Sequence, residues 1–237
     1  MSTKNKKFRH EFKYIISSAE DAILEKRVSS LIKRDPHAGE SGMYSIRSLY
    51  FDSYCDRCYY ENENGTDPRE KFRIRIYNAS AKRISLECKR KERSKTLKTS
   101  CLITEEQCRS LMAGRPPRDI AENQQVLRRL SVLMMCELFR PRVIVEYERA
   151  PYICKNGNVR VTFDRNIRSS SQVERFLEKD IFTRPIMPAG QRLIEVKFDE
   201  YIPDYIKESL EIGSLARTAF SKYYLCRKFN TGGSYVI

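Results

Sequence analysis

Lys71-Phe72-Arg73-Ile74-Arg75-Ile76-Tyr77 alternates cationic and apolar side chains. Successive side chains of a strand leave on opposite faces, so this stretch reads as a strand with Phe72, Ile74 and Ile76 on one side and Lys71, Arg73 and Arg75 on the other. The alternation recurs at Arg9, Glu11 and Lys13, at Glu87, Lys89 and Lys91, at Arg160, Thr162 and Asp164, and at Glu195 and Lys197. A single such strand is what an antiparallel sheet with one solvated face shows. Taken together, the five point inward for three reasons. Cations outnumber carboxylates on the shared face, and like charges opposite each other destabilise a sheet. Several amphipathic helices need an apolar surface to cover, and the other face of these strands is the one on offer. The charged face is also rich in Arg, whose planar fork matches phosphate oxygens.

These readings give an α+β chain: an antiparallel β-barrel of about eight strands, curled around its charged face, with amphipathic helices packed on the outside. Strands are expected over residues 8–16, 44–52, 71–77, 83–91, 93–102, 141–150, 159–164 and 192–198. Turn chemistry is expected at 78–82, and a hairpin at Lys155-Asn-Gly-Asn158. Ser17 with Glu20, and Thr104 with Gln107, form capping boxes that open two helices. The first has Leu24, Val28, Leu31 and Ile32 as its buried stripe and is stopped by Asp35-Pro36; the second spans 104–112. A short helical turn is expected over 56–62 and a longer helix from about 121 to 139. Asp204 is read as the cap of a helix ending near Gly213, and a last amphipathic helix carries Leu215, Phe220, Tyr223, Tyr224 and Leu225. No repeat or linker divides the chain, so residues 1–237 are read as one domain.

The chain carries 45 Lys and Arg against 31 Asp and Glu, a net charge of +14 that favours anionic partners. A lumen lined with cations repels itself: two unit charges ~5 Å apart cost about 3 kcal/mol at an effective dielectric near 20. Bound phosphate or solvent must relieve that, which makes the lumen a site on physical grounds. Eight cysteines occur without an apolar leader before Phe12, so a reducing cytoplasm is expected. Cys88, Cys136 and Cys226 sit in apolar patterns as small hydrophobes. Cys55-Asp-Arg-Cys58 has metal-pair spacing, but no second pair or nearby histidine completes a zinc site. No apolar run reaches the ~20 residues that span a bilayer.

Eight motifs then occur in a telling order: Arg9-His-Glu-Phe-Lys13, Ser48-Leu-Tyr-Phe-Asp52, Arg73-Ile-Arg75, Leu86-Glu-Cys-Lys89, Tyr147-Glu-Arg149, Val159-Arg-Val-Thr-Phe-Asp164, Ile194-Glu-Val-Lys197 and Ser221-Lys-Tyr223. Over about residues 8–228 the chain resembles the polyphosphate polymerase domain of the vacuolar transporter chaperone type, in its stand-alone bacterial form. That domain belongs to the triphosphate tunnel metalloenzymes, the CYTH-like superfamily. The resemblance implies an eight-stranded antiparallel tunnel that takes triphosphate or polyphosphate with Mn²⁺ or Mg²⁺. It implies phosphate contacts from Lys13, Arg73, Arg75, Lys89, Arg149, Arg160, Lys197 and Lys222, with Arg9, Tyr50, Lys91, Lys98 and Ser221 as further substrate contacts. Glu195 would be the main metal ligand, assisted by Glu11 and Asp164. One departure stands out: Arg9 occupies the first of two positions at which the triphosphatase branch carries glutamates. That exchange shifts the balance from two-metal hydrolysis toward holding a phosphate chain.

The reading this favours is transfer of the terminal phosphoryl group of ATP onto a polyphosphate chain. Hydrolysis of a triphosphate on the same fold is the alternative, with Glu11 or Asp164 as base. A non-catalytic module that binds polyphosphate or RNA is the third, although no nucleic-acid motif occurs and the aromatics lie mostly in apolar alternation. A membrane-protein partner that carries product away, and association with the inner face of the membrane, stay open. With only His10 and His37, and no glycine-rich phosphate loop, other chemistries have little material.

Overall fold

The computed structural model describes residues 7–211 and 215–230. Eight strands carry the fold: β1 (His10–Ser17), β2 (Tyr44–Asp52), β3 (Arg69–Tyr77), β4 (Ser80–Glu92), β5 (Lys95–Ile103), β6 (Arg140–Cys154), β7 (Val159–Ser170) and β8 (Gln191–Phe198). They pair antiparallel in the order β1-β8-β7-β6-β2-β3-β4-β5, and two short pieces, Lys33–Arg34 and Arg184–Pro185, extend β6 and β7. Right-handed twist curls such a sheet. Here it curls until its outer strands meet, where Arg9 and Thr96 exchange both backbone hydrogen bonds, at 2.9 and 2.8 Å. Farther along β1 the same free edge is taken by the chain near the C-terminus: Tyr14 bridges Arg217, and Thr218 N–H donates to the Lys13 carbonyl at 2.9 Å.

The helices lie outside, as the apolar faces require. α1 (Ser18–Leu31) opens with the expected box: Glu20 N–H donates to the Ser17 hydroxyl at 3.2 Å, and Ser17 N–H donates to the Glu20 carboxylate at 2.7 Å. Its Leu24 and Val28 join Val161, Phe163, Ile194 and Val196 in one core, closed also by α5 (Asp204–Ser209) through Ile206. A larger core gathers α2 (Arg57–Glu63), α3 (Glu105–Met112), α4 (Gln125–Cys136) and α6 (Lys222–Asn230) over Phe72, Ile74, Leu86 and Val143. Full burial of one such Leu or Phe contributes roughly 1.5–3 kcal/mol. The expected α+β architecture, a curled eight-stranded antiparallel sheet with helices on its outer face, is the one observed. No helix among the described residues is long and apolar enough to cross a membrane.

Several boundaries differ, each for a local reason. Asn78 and Ala79, and again Arg93 and Ser94, have positive φ (51°, 50°, 47° and 64°) and make two-residue turns. Such turns match the twist of the flanking strands. β4 therefore starts at Ser80 rather than 83, and β5 at Lys95 rather than 93. α1 ends at Leu31, four residues before Asp35, and Leu31 itself is exposed. α4 is shorter than the expected 121–139 span, because Gln124 already lies outside helical geometry and Leu138 has φ 52°. Asp204 is the first residue of α5 rather than its cap, with Pro203 before it. That helix ends at Ser209, short of the expected Gly213, which itself lies outside the described residues. The last helix begins only at Lys222, so Leu215 and Phe220 belong to the strap along β1 and not to a helix. No disulfide joins any of the eight cysteines, all among the described residues; Cys88 and Cys226 are buried as expected, whereas Cys136 is exposed at the end of α4.

Candidate functional site, a cationic lumen

Residues directly opposite in a ladder face the same way. Lys13 sits opposite Glu195, and Glu195 opposite Thr162; Glu11 sits opposite Lys197, and Lys197 opposite Arg160. Arg73 lies between Tyr50 and Glu87, and Lys89 between Lys71 and Lys98. The alternating charges thus share one surface, and it is the inner one.

That surface encloses two cavities, of about 380 and 150 Å³, which share Glu11, Arg73, Lys89, Thr96 and Glu195 and so form one lumen. Fourteen Lys and Arg side chains line it, against two carboxylates, Glu11 and Glu195, among the described residues. Of the sixteen residues carried over from the family resemblance, fifteen line the lumen. The larger cavity holds Arg9, Arg75, Lys98, Arg149, Arg160 and Lys197; the smaller holds Lys13, Tyr50, Lys91, Ser221 and Lys222. Asp164 is the exception.

Asp164 is fully buried behind the wall. Arg149 donates to both of its oxygens at 2.7 Å, and Lys222 reaches the second at 2.6 Å. Burial alone would raise its carboxyl, yet Arg149 and Lys222 hold it below the ordinary value. Both of its oxygens are taken by cations, so here Asp164 orients Arg149 and Lys222 from behind the lumen wall. A metal would have to displace a cation there, as it would at Glu11 and Glu195. Arg149 turns its remaining reach to Glu195 at 3.0 Å, and Lys197 approaches Glu195 at 3.4 Å.

Glu87 plays the same part on the opposite wall. It is 1 % exposed, accepts from Arg73 Nε and Nη2 at 2.9 and 2.7 Å, and lies 3.1 Å from Lys98 Nζ and 3.7 Å from Arg75. Against burial, Arg75, Arg73 and Lys98 hold its carboxyl well below the usual range. Arg73 also donates to the Tyr50 hydroxyl at 2.8 Å, and Arg75 donates to Ser48 and Tyr147 at 3.2 Å. Glu87 belongs to the alternating pattern but not to the expected site, because a carboxylate among cations carries no sequence sign of which neighbours it will clamp.

Glu11 meets Lys89 at 2.7 Å, Lys13 at 3.0 Å and Lys197 at 4.0 Å. Burial opposes its charge, but Lys89, Lys13 and Lys197 keep its pKa down at about 2. Glu195 is likewise held well below the carboxylate range, by Lys197 and Arg149 against burial. Lys13 Nζ also donates to the Phe220 carbonyl at 2.7 Å, a backbone partner that no side-chain pattern announces. At the larger cavity's mouth Arg9 is drawn to Asp199 at 2.8 Å, and Arg160 to Asp35 at 2.8 Å.

Could these residues hold a divalent metal? Among the described residues no three His, Cys, Asp or Glu side chains converge on a point. Glu11 and Glu195 both face the part of the lumen where the cavities join. Two hard oxygen donors suit Mg²⁺ or Mn²⁺ only when phosphate oxygens and water complete the shell. The donor set fits a metal that arrives with its phosphate.

Lys71 is part of the alternation but not of the expected site. It is enclosed in the smaller cavity, where Nζ donates to Asn62 Oδ1 at 2.6 Å and Ser221 Oγ at 3.1 Å. Burial, reinforced by Arg69, Lys89 and Lys13, pulls its pKa down to about 7. A depressed amine sheds its proton as pH rises through that value, and a bound polyanion favours the charged form. Polyanion affinity is therefore expected to weaken between about pH 6 and about pH 8, with proton uptake on binding in that window. Calorimetric titrations in buffers of different ionisation enthalpy read both; an affinity and proton balance flat across the window would contradict this.

The VTC domain model matches residues 8–229. The chain belongs to the VTC-domain family. Two solved structures extend the likeness of this VTC-domain protein at the level of fold. A provisionally assigned adenylate cyclase from Bacillus halodurans is 15% identical, with 86% of each chain covered and a TM-score of 0.50. A provisionally assigned adenylyl cyclase from Hippeastrum with a dominant triphosphatase activity is 14% identical, over 96% of this chain and 97% of that one, with a TM-score of 0.52. No curated protein matches the sequence.

Proposed function

We propose that this VTC-domain protein is a metal-dependent phosphotransferase that moves the terminal phosphoryl group of ATP onto a polyphosphate chain held in the lumen. The observation that carries this reading is the imbalance of fourteen lumen cations against two carboxylates, in two adjoining cavities on the inner face of the curled sheet. Phosphoryl transfer needs positioning and charge stabilisation more than covalent chemistry. Arg73, Arg75 and Arg149 present forks fixed by Glu87, Tyr50 and Asp164, so little reorganisation is needed when they meet phosphoryl oxygens. Glu11 and Glu195 would hold the Mg²⁺ or Mn²⁺, which when bound neutralises charge on bridging phosphate oxygens.

Transfer is favoured over hydrolysis by the state of the acids. A base that activates water works best with a pKa near the working pH. Glu11 sits at about 2, Glu195 lies well below its ordinary value, and Asp164 is walled off. The terminal oxygen of a phosphate chain is already ionised and needs no base. Triphosphate hydrolysis remains the second reading, supported by the Hippeastrum protein that shares the fold.

Incubation of the purified protein with ATP and Mn²⁺ should release ADP and build chains longer than the substrate. Orthophosphate as the sole phosphate product would overturn the transfer reading. Glu195→Gln should retain the anion but lose about 10²-fold or more in turnover, in line with removal of one preorganised charge contact.

A further inference from the structure

The two halves of the lumen differ in how their cations are paired. In the larger cavity every lining Lys and Arg has a carboxylate within 4.0 Å, from Glu200 on Lys7 to Asp35 on Arg160 and Glu195 on Lys197. In the smaller one, Arg69, Lys71 and Lys91 have none among the described residues, although Glu11, Glu87 and Asp164 pair with its other cations. Arg69 Nη1 donates to the Thr66 carbonyl at 2.7 Å, and Lys71 has only neutral partners, Asn62, Ser221 and the Tyr223 ring 5.3 Å from its Nζ. The three stand together by register: Arg69 opposite Lys91, and Lys71 opposite Lys89, on β3 and β4. Like charges side by side in a ladder are unfavourable. An anion bound there relieves that repulsion without displacing a resident carboxylate, whereas an anion in the larger cavity competes with one at each cation it meets.

We propose that the smaller cavity is a chain-length subsite: Arg69, Lys71 and Lys91 hold the phosphates of a linear polyphosphate that extend past the Glu11–Glu195 junction, and so discriminate long chains from triphosphate. This rests on the reading of the lumen as a phosphate site and adds a polarity to it. A triphosphate seated at the junction and in the larger cavity leaves these three cations unmet. A longer chain meets them, and each additional charge-assisted hydrogen bond strengthens its binding by about tenfold.

Affinities for sodium tripolyphosphate and for a long-chain linear polyphosphate, measured by titration calorimetry on the full chain, test this. The wild type should bind the long chain more tightly per molecule, after correction for the number of sites per chain. Arg69→Gln and Lys91→Gln, each at a partly exposed position, should cut long-chain affinity by about tenfold while costing tripolyphosphate less than about threefold, and the pair together should remove most of the preference. Lys7→Gln, at the other mouth, should leave the ratio of the two affinities unchanged. Tripolyphosphate binding by each variant reports an intact lumen. A wild type with no length preference, or substitutions that weaken both ligands equally, would overturn the subsite. A wild type that binds neither ligand would overturn the reading of the lumen itself.

Discussion

Glu87→Gln is expected to destabilise the fold by about 3–5 kcal/mol, the usual cost of removing one partner from a buried ionic cluster. Glu87 is the shared counter-ion of Arg73, Arg75 and Lys98. Without its charge the two arginines, both enclosed on β3, face each other at low dielectric. The sign with pH follows from its depressed carboxyl. The stabilisation is complete above the ordinary glutamate value and is lost as pH falls through the lower folded value. Urea unfolding of wild type and variant at neutral pH measures the difference. Lys98→Gln serves as contrast, since Lys98 is half exposed and its pair with Glu87 is worth less than about 1 kcal/mol. A Glu87→Gln protein as stable as the wild type would mean that Arg73 and Arg75 are held by something other than this carboxylate.

The second large effect is expected at Arg149, where the substitution keeps charge and removes geometry. Arg149 binds Asp164 through two parallel hydrogen bonds and still reaches Glu195, and its guanidinium lies 5.2 Å from the Tyr147 ring centre. A lysine ammonium is a point charge and cannot span both carboxylates. Arg149→Lys should therefore lower turnover by about 10²-fold or more, while the fold persists with Lys222 still on Asp164. Steady-state kinetics beside a thermal melt separate the two. Turnover within about threefold of wild type would remove Arg149 from the phosphate-orienting set.

Much of this was legible in the chain. The alternation at Arg9–Lys13, Lys71–Arg75, Glu87–Lys91 and Glu195–Lys197 set the inner face because a strand has only two faces and the helices' apolar stripes claim one of them. Two capping boxes placed α1 and α3. What the pattern could not carry was pairing across strands. Whether Asp164 meets a metal or Arg149 depends on a β6–β7 register that shifts between Glu146 and Glu148, with Asn166 at φ 51° taking up the bulge. That bulge also ended the visible alternation at Asp164, although β7 continues to Ser170. Arg47 was missed for the opposite reason. It lies on the outer face of β2 in an apolar run, yet it is buried and donates to Glu146 and to the carbonyls of Phe176, Glu178 and Lys179, which fixes the 173–180 loop. Lys71 shows a third limit, since its missing carboxylate is visible only once the neighbouring strands are in place.

Phosphate occupancy of the lumen can be read from a crystal structure of the protein grown with tripolyphosphate and Mn²⁺. Phosphate oxygens should lie within hydrogen-bond reach of Arg73, Arg75 and Arg149, with the metal on Glu195 and Glu11 where the two cavities meet. An empty lumen with the anion on the outer helical surface, at saturating ligand, would contradict that occupancy.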